Sequence, residues 1–270
     1  MTENKIVWIT GASSGIGWAL AQAYNRAGAF TILSARRKEK LEELQKDLAF
    51  SEASYVLPLD LAQHQHADQW VAEALGLHGR VDVLINNGGM GHMGSVVEMN
   101  LEVERQVMEV NFWGSVALTK ALLPSMIGND SGQIWSVASI LGYFGSPNLA
   151  AYAASKFAVI GYFESLQYEL CGTNLHVGLL SPGFVNTQVT LSSLGPDGKA
   201  IGKNSVAQEK GMLPEELARR FVKKANRKNP PKHMLIGNYE IFAVPFKRFL
   251  PKLFFLVYGK LTDITRKKNA

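Results

Sequence analysis

The sequence predicts an α/β fold: a doubly wound parallel sheet of seven strands with helices on both faces, formed by residues 1–270 as one domain. Three observations predict it. Short apolar, β-branched stretches alternate with helical stretches along the chain. A glycine-rich turn follows the first apolar stretch, and polar residues or glycines follow most of the later ones. No repeat, linker or low-complexity run divides the 270 residues, so one sheet is the simplest arrangement.

The strands are expected where apolar segments run into polar, glycine or proline positions. They are predicted at 5–10, 30–35, 53–57, 81–86, 132–137, 175–181 and 232–236. The helices are predicted at 16–27, 38–48, 62–75, 101–126 and 152–171, with a further helix opened by Pro214. Parallel sheets of this kind bind ligands at the carboxyl ends of their strands. The residues that follow each strand are therefore the candidate site.

Composition limits the class of protein. Hydrophobic residues make up 47% and charged residues 19%, a balance typical of globular proteins. A single cysteine excludes an intrachain disulfide and favours a reducing, cytoplasmic compartment. The net charge of +5 is compatible with nucleic-acid or membrane partners, but the basic clusters have no interleaved aromatic residues, so we expect no nucleic-acid partner. We also expect no secretory segment, no membrane-spanning segment and no metal site.

The turn after the first strand has the spacing G-x-x-x-G-x-G and leads into a helix. Glycines let the backbone approach a pyrophosphate, and the helix N-terminus offers free N–H groups and the positive end of its dipole. The turn therefore predicts a dinucleotide cofactor. Its candidate binding residues are Gly11, Ser13, Ser14, Gly15, Ile16 and Gly17.

The second strand ends in Ala35 and is followed by Arg36 and Arg37. An acidic residue at this place accepts a hydrogen bond from the ribose of NAD, whereas arginine accommodates the 2′-phosphate of NADP. The pair therefore favours NADP, unless the two arginines merely open the charged helix 38–48. Asp60, followed by Leu61, is either a partner of the adenine amino group or a helix N-cap.

Tyr152 and Lys156 are four residues apart on a predicted helix, so they lie on one face. An ammonium close to a phenol lowers the phenol pKa and makes tyrosine a usable general acid or base. The pair alone is also compatible with an ordinary exposed helix face.

Taken together, the motifs resemble those of the short-chain dehydrogenase/reductase family, over nearly the whole chain. The matching pieces are Thr10-Gly-x-x-x-Gly-x-Gly17, Asn86-Asn87-Gly88-Gly89, Asn111, Ser139, Tyr152-x-x-x-Lys156 and Pro182-Gly183. Where this chain has Gly88, the family usually has alanine; we expect cofactor binding to survive that change. The resemblance implies a Rossmann fold and an oxidoreductase activity.

The resemblance also implies residue roles. Tyr152 exchanges a proton with the substrate oxygen, Lys156 holds the ribose and lowers the Tyr152 pKa, and Ser139 hydrogen-bonds the carbonyl. Asn111 supports a water chain to Lys156, and Thr187 contacts the nicotinamide carboxamide or the phosphates. Three of these residues have alternative roles: Ser139 as a turn residue, Asn111 as a helix-kink residue and Thr187 as a helix cap. The remaining implied cofactor contacts are Leu61, Asn87, Gly88, Pro182, Gly183 and Val185.

The last third of the chain is less regular. Residues 186–230, of which 188–211 are rich in turn-forming residues, are a candidate substrate lid, and 240–260 form an apolar segment. Within it, the positions 246, 249, 250, 253, 254 and 257 predict one apolar helix face that Pro251 kinks or divides. Three alternatives are open for that face: it caps the substrate pocket, it packs on a second subunit, or it lies on a membrane surface through 246–257.

The region 186–258 is similar to that of the dehydrogenase/reductase member 7 branch, which resembles 11β-hydroxysteroid dehydrogenase and acts on lipophilic carbonyls. We therefore expect an NADP(H)-dependent oxidoreductase that interconverts a lipophilic carbonyl and an alcohol, as a homodimer or homotetramer through 101–126 and 152–171. The alternatives are a lyase or epimerase of the same fold and a non-catalytic NADP-sensing protein.

Overall fold

A parallel sheet of seven strands forms the centre of the molecule. The computed structural model describes the backbone of residues 4–203 and 205–269, and the side chains of that range except those of 206, 207 and 263–269. The strands are β1 Ile6–Thr10, β2 Phe30–Ser34, β3 Ser54–Val56, β4 Val83–Asn86, β5 Gly132–Val137, β6 Leu175–Pro182 and β7 His233–Ile236. All seven agree with the sequence prediction to within two residues at each end.

Helices connect the strands and cover both faces of the sheet. They are α1 Gly15–Arg26, α2 Lys38–Asp47, α3 Ala67–His78, α4 Leu101–Met108, α5 Gly114–Gly128, α6 Ala150–Glu169, α7 Val206–Glu209, α8 Pro214–Ala225, α9 Ala243–Phe249 and α10 Pro251–Asn269. Three short 3₁₀ segments lie at Leu61–His66, Ile140–Gly142 and Tyr239–Phe242.

The strand order β3-β2-β1-β4-β5-β6-β7 places the ligand crevice. The chain winds outward from β1 to β3 on one side and then resumes at β4, on the other side of β1. Connections therefore leave β1 and β4 in opposite directions, and a crevice opens between them at the carboxyl edge of the sheet. The glycine turn after β1 and the Asn-Asn-Gly-Gly run after β4 border that crevice.

Two apolar layers sandwich the sheet. On one face α1, α2 and α8 bury side chains such as Leu20, Leu41 and Phe221 against the strands. On the other face α3, α5 and α6 bury side chains such as Leu122 and Phe163. The strands are buried on both sides, which explains why they read as nearly continuous apolar runs.

Two predicted helices are divided in the structure. The helix expected at 62–75 begins as a 3₁₀ segment, and the backbone of Gln63 departs from helical angles there. The long helix expected at 101–126 is interrupted by a π-helical turn, Glu109–Trp113, between α4 and α5. Asn111 lies in this turn, so both divisions occur beside the candidate site.

Helix α8 falls inside the range 186–230 that the sequence suggested as a lid. It packs against α1 and buries Leu217, Ala218, Phe221 and Ala225 in the core. A helix held by that much apolar burial is part of the framework. The lid interpretation is therefore retained, as a proposal, for residues 188–211 only.

Candidate active site

The glycine turn after β1 is shaped by close backbone packing. Gly11 and Gly15 have φ values of +67° and +57°, a region that favours glycine. A Cβ at Gly11 would lie 2.7 Å from the Cα of Gly88, and one at Gly17 would overlap the carbonyl oxygen of Gly11. Ser14 caps α1 without a side-chain hydrogen bond, which leaves N–H groups of the first turn for an anion.

Thr10 joins this turn to the segment after β4. Its hydroxyl oxygen accepts hydrogen bonds from the backbone N–H groups of Asn87 at 3.0 Å and Gly88 at 2.9 Å. The Asn87 side chain donates back to the Thr10 carbonyl at 2.9 Å. A Cβ at Gly88 would lie 2.5 Å from the end of the flexible Leu61 side chain and 3.3 Å from the Thr10 hydroxyl oxygen, so an alanine there requires the Leu61 side chain to move and the Thr10 hydroxyl to shift slightly.

The adenosine end of the crevice is basic. Arg36 and Arg37 follow β2 and line the crevice, and the Arg37 guanidinium donates to the Ser13 hydroxyl at 3.2 Å. Asp60 accepts from the Ala62 N–H at 3.1 Å, so its N-cap role is confirmed, while its side chain also lines the crevice. This end of the crevice therefore suits a phosphate better than a bare ribose.

Ser139 and Tyr152 lie at the other end of the crevice. Ser139 is held in place by the N–H of Leu141, which donates to its hydroxyl oxygen at 3.2 Å. Burial raises the pKa of the Tyr152 phenol above its ordinary value, and a hydrogen bond with the Ser139 hydroxyl partly offsets that rise. Tyr152 therefore holds its proton at neutral pH in the cofactor-free protein.

Lys156 is buried next to Tyr152, one turn further along α6. Its ammonium donates to the Val137 carbonyl at 2.9 Å and lies 5.7 Å from the centre of the Tyr152 ring. Burial lowers the pKa of Lys156 to about 8. Burial is the largest cause of the raised Tyr152 pKa, and the expectation that Lys156 lowers that pKa stays a prediction.

The Asn111 side chain hydrogen-bonds to the backbone of the segment after β4. Its side-chain oxygen accepts from the Met90 N–H at 2.7 Å, and its amide donates to the Met90 carbonyl at 2.9 Å and to the Ser155 hydroxyl at 3.0 Å. Both amide hydrogens are thus engaged, so the amide N–H groups cannot donate to the expected water chain. The Ser155 hydroxyl donates in turn to the Tyr152 carbonyl at 2.7 Å, which ties Asn111 to the tyrosine helix.

Residues 182–187, which we call the strap, cross the crevice after β6. The Thr187 methyl lies 3.0 Å from the place where a Cβ of Gly15 would stand, so the strap reaches over the glycine turn. Gln208 of α7 donates to the Val185 carbonyl at 3.0 Å, and its own side-chain oxygen accepts from the Thr190 hydroxyl at 3.0 Å. Gln208 therefore joins the candidate lid to the strap.

Nearly all sequence-predicted site residues line this one crevice. The exceptions are Gly17, which packs beneath the turn, and Asn111, which is buried behind Gly89 and Met90. Sequence reasoning named Thr10 and Gly89 only as parts of motifs, and the candidate lid covered the lining residues Gln188, Val189, Leu191, Ser192, Ala200 and Gln208. It missed Ser155 as a supporting residue, although this serine stands inside the Tyr-x-x-Ser-Lys run. It also missed lining residues at Ala35, Leu59, Met90, Val110, Val137 and Ala138.

The apolar segment 240–260 lies outside the crevice. Pro251 divides it into α9 and α10 as predicted, and only part of the predicted face is covered: Phe254 packs on Phe144 with ring centres 5.3 Å apart. Phe249 remains 75% exposed. No residue of the segment lines the crevice in the part of the chain that the structure describes, so the pocket-capping interpretation is not supported. None of the described helices is both long and apolar enough to cross a bilayer.

The crevice fits a dinucleotide. Its volume of about 580 Å³ lies in the range of small-molecule sites. It places a glycine turn at a helix N-terminus in the middle, two arginines at one end, and Ser139 with Tyr152 at the other. A helix N-terminus with a glycine turn suits a diphosphate, arginines suit further anionic or polar groups of a nucleotide, and paired hydroxyls suit a polar group that they can hydrogen-bond.

Comparisons with known proteins agree with this architecture. The short chain dehydrogenase family pattern matches residues 5–194. A "dehydrogenase/reductase SDR family protein 7-like" protein of Drosophila melanogaster is 40% identical, over 95% of this chain and 80% of the relative. A short-chain dehydrogenase structure from Streptomyces avermitilis superposes with a TM-score of 0.79 at 28% identity, covering 99% of this chain and 98% of the other.

A second solved structure, a closed serine dehydrogenase complexed with NADP⁺, superposes with a TM-score of 0.77 at 25% identity and covers 87% of this chain and 95% of the other. The similarity to the fly protein confirms the resemblance to the member 7 branch that the region 186–258 suggested. With a family pattern over most of its length and its serine, tyrosine and lysine gathered in one crevice, this chain belongs to the short-chain dehydrogenase/reductase family.

Proposed function

We propose that this chain is an NADP(H)-dependent oxidoreductase that interconverts a lipophilic carbonyl compound and its alcohol, with Tyr152 as the general acid or base. One observation carries the proposal: Ser139, Tyr152 and Lys156 line the same crevice as the glycine turn. A hydroxyl pair at one end and an anion site in the middle suit a reaction between a carbonyl and a dinucleotide.

Each residue has a physical task in this reaction. The nicotinamide, when bound, supplies or accepts a hydride. Ser139 donates a hydrogen bond to the substrate oxygen and steadies the charge that develops there. Tyr152 transfers the proton between its hydroxyl and the substrate oxygen. Lys156 places a positive charge beside the phenol and favours its anionic form as the proton leaves.

The two arginines support the preference for NADP(H). Arg36 and Arg37 line the crevice where β2 ends, and Ala35 leaves no acidic side chain at that strand end to repel a 2′-phosphate. Fluorescence titration of NADPH and NADH should give at least tenfold tighter binding of NADPH. Arg37→Ala should weaken NADPH and leave NADH nearly unchanged. Equal affinity of the wild-type protein for both cofactors would contradict the assignment.

The acid–base assignment is tested by Tyr152→Phe. This variant loses the hydroxyl and keeps the ring, so it should bind NADPH like the wild type and lose at least 1,000-fold of its turnover with a reducible carbonyl. The carbonyl substrate for this test is first chosen by screening a panel of apolar ketones and aldehydes for NADPH depletion. Turnover retained in the phenylalanine variant would refute the role of Tyr152.

Apolar residues in the wall of the crevice support a lipophilic substrate. Met90, Val189, Leu191 and Ala200 line it, and three of them belong to the candidate lid 188–211. A lid of this kind excludes water when it closes over an apolar substrate. Within this proposal, apolar carbonyl compounds should have lower KM values than charged ones of the same reactivity.

Exposed apolar side chains support two kinds of partner. Trp113, in the turn between α4 and α5, and Phe157 on α6 are large and exposed, as a homodimer or homotetramer through these helices requires. Phe249 and Leu253 are exposed beside basic residues, which suits peripheral contact with an anionic membrane surface. Sedimentation velocity, with and without anionic vesicles, tests both. The exposed Cys171 thiol is compatible with the proposed cytoplasmic location.

A further inference from the structure

Glu240 is the one side chain of the 3₁₀ segment Tyr239–Phe242 that reaches the strap. Its carboxylate oxygen accepts a hydrogen bond from the Phe184 N–H at 2.9 Å and another from the Asn238 N–H at 3.0 Å. The first bond spans 56 residues of sequence. Hydrogen bonds to an ionised acceptor are about twice as strong as neutral ones. A carboxylate from the C-terminal region thus holds the strap, which lines the crevice.

Two glycines make room for that carboxylate. A Cβ at Gly183 would overlap the Glu240 carboxylate, and a Cβ at Gly237 would lie 2.6 Å from the same oxygen. A Cβ at Gly237 would also lie 3.1 Å from the Gly183 Cα. They lie where β6 and β7 end as neighbouring strands. The space that the Glu240 carboxylate occupies is therefore formed by the ends of both strands.

The strap also borders the crevice. Pro182, Gly183, Val185 and Thr187 line it, together with Ser139 and Tyr152. A shift of the strap would move these residues relative to the tyrosine. Misplacement of a binding segment by about 1 Å can cost on the order of 100-fold in rate.

We propose that Glu240 is a positioning residue that fixes the strap in the shape needed to bind the nicotinamide half of the cofactor. The inference rests on the proposed function, in that it takes the strap to face the nicotinamide. Glu240 does not line the crevice. It acts through the backbone of Phe184.

The first experiment needs no cofactor. In the cofactor-free protein, Glu240→Ala should speed hydrogen exchange of the Phe184 amide at least tenfold, because that amide loses its acceptor. Glu240→Gln keeps a side-chain oxygen acceptor and should stay within about threefold of the wild type. The amide of Gly183, which donates to the Ile236 carbonyl, is an internal reference. Tyr239→Ala is the matched control, since Tyr239 is 83% exposed.

The second experiment separates the two halves of the cofactor. By calorimetry, Glu240→Ala should weaken NADPH about tenfold, the effect of one charge-assisted hydrogen bond. It should change the affinity for adenosine 2′,5′-bisphosphate, which lacks the nicotinamide, less than twofold. Glu240→Gln should restore NADPH binding.

The outcomes are distinguishable. Equal losses for NADPH and adenosine 2′,5′-bisphosphate, or faster exchange throughout 239–258, would mean a general loss of structure and would overturn the proposal. Unchanged Phe184 exchange, or faster exchange with unchanged NADPH affinity, would also overturn it. Failure of the wild-type protein to bind NADPH would instead refute the proposed function, while the exchange result at Phe184 would still stand.

Discussion

Replacing the buried Lys156 by methionine should make the cofactor-free protein more stable at neutral pH. Lys156 is only 5% exposed, and among the residues that the structure describes its ammonium makes one hydrogen bond, to the Val137 carbonyl. Folding therefore removes a charge from water without pairing it with an opposite charge. Methionine has a similar length and shape and has no charge to bury.

The magnitude follows from the pKa of this ammonium. Burial lowers the pKa of Lys156 from 10.5 to about 8, which corresponds to a penalty of about 3 kcal/mol. Lys156→Met removes that penalty but leaves the buried Val137 carbonyl without its donor, at a cost of about 1–2 kcal/mol. The net gain in the free energy of unfolding at pH 7 is therefore about 1–2 kcal/mol.

The sign of the pH dependence gives a second check. Between pH 8 and 10.5 the unfolded state binds more protons at this lysine than the folded state, so the stability of the wild type rises with pH. By pH 10 the penalty falls to about 1 kcal/mol, and Lys156→Met becomes the less stable protein.

Urea denaturation at pH 7 and pH 10 measures both effects. Lys120→Met is the matched control, because Lys120 is exposed on α5 and its replacement should change stability by less than about 0.5 kcal/mol at either pH. A Lys156→Met variant that is less stable than the wild type at pH 7, or whose advantage grows with pH, would refute the reasoning.

Two further predictions concern the glycine turn and a buried histidine. Gly17→Ala should lower the free energy of unfolding by about 1–3 kcal/mol and abolish NADPH binding, because its Cβ overlaps the Gly11 carbonyl. Gly161→Ala on α6 is the control: its Cβ meets no atom within 4 Å, so it should raise the free energy of unfolding by about 0.5–1 kcal/mol. Thermal melts and cofactor titration measure these effects. Burial, and then the charge of Lys232, lower the pKa of His176 to about 4. The free energy of unfolding should therefore fall as the pH drops from 6.5 towards 4, by about 1–2 kcal/mol after solvent screening of the half-buried ring. His176→Phe should reduce this pH dependence, measured as the change of the urea midpoint with pH. Equal pH dependence of the variant and the wild type would contradict the prediction.

Local pattern was sufficient for most of the framework. The seven strands were predictable because strands buried on both faces must be apolar along their whole length, as in Ile6–Thr10 and Val83–Asn86. The glycine turn was predictable because its backbone angles and close contacts admit only glycine at Gly11. Tyr152 and Lys156 were predictable as neighbours because helical spacing alone places them on one face.

Other features depend on contacts between distant parts of the chain. The π-helical turn at Glu109–Trp113 follows from no local propensity, and it places Asn111 against Met90. The bond from Phe184 to Glu240 joins segments that the sequence assigned to separate roles. The exposure of Phe249 depended on how α9 and α10 dock, which periodicity does not specify.

The sequence by itself determined the strand and helix order and the glycine turn, because backbone conformation and hydrophobic period are local properties; most of the site residues came instead from the resemblance of its motifs to a known family. Only the tertiary structure decided the direction of the Tyr152 pKa, the engagement of the Asn111 amide and the hold of Glu240 on the strap. Desolvation and hydrogen-bond partners depend on which distant groups exclude water from a side chain, and spacing along the chain does not contain that information.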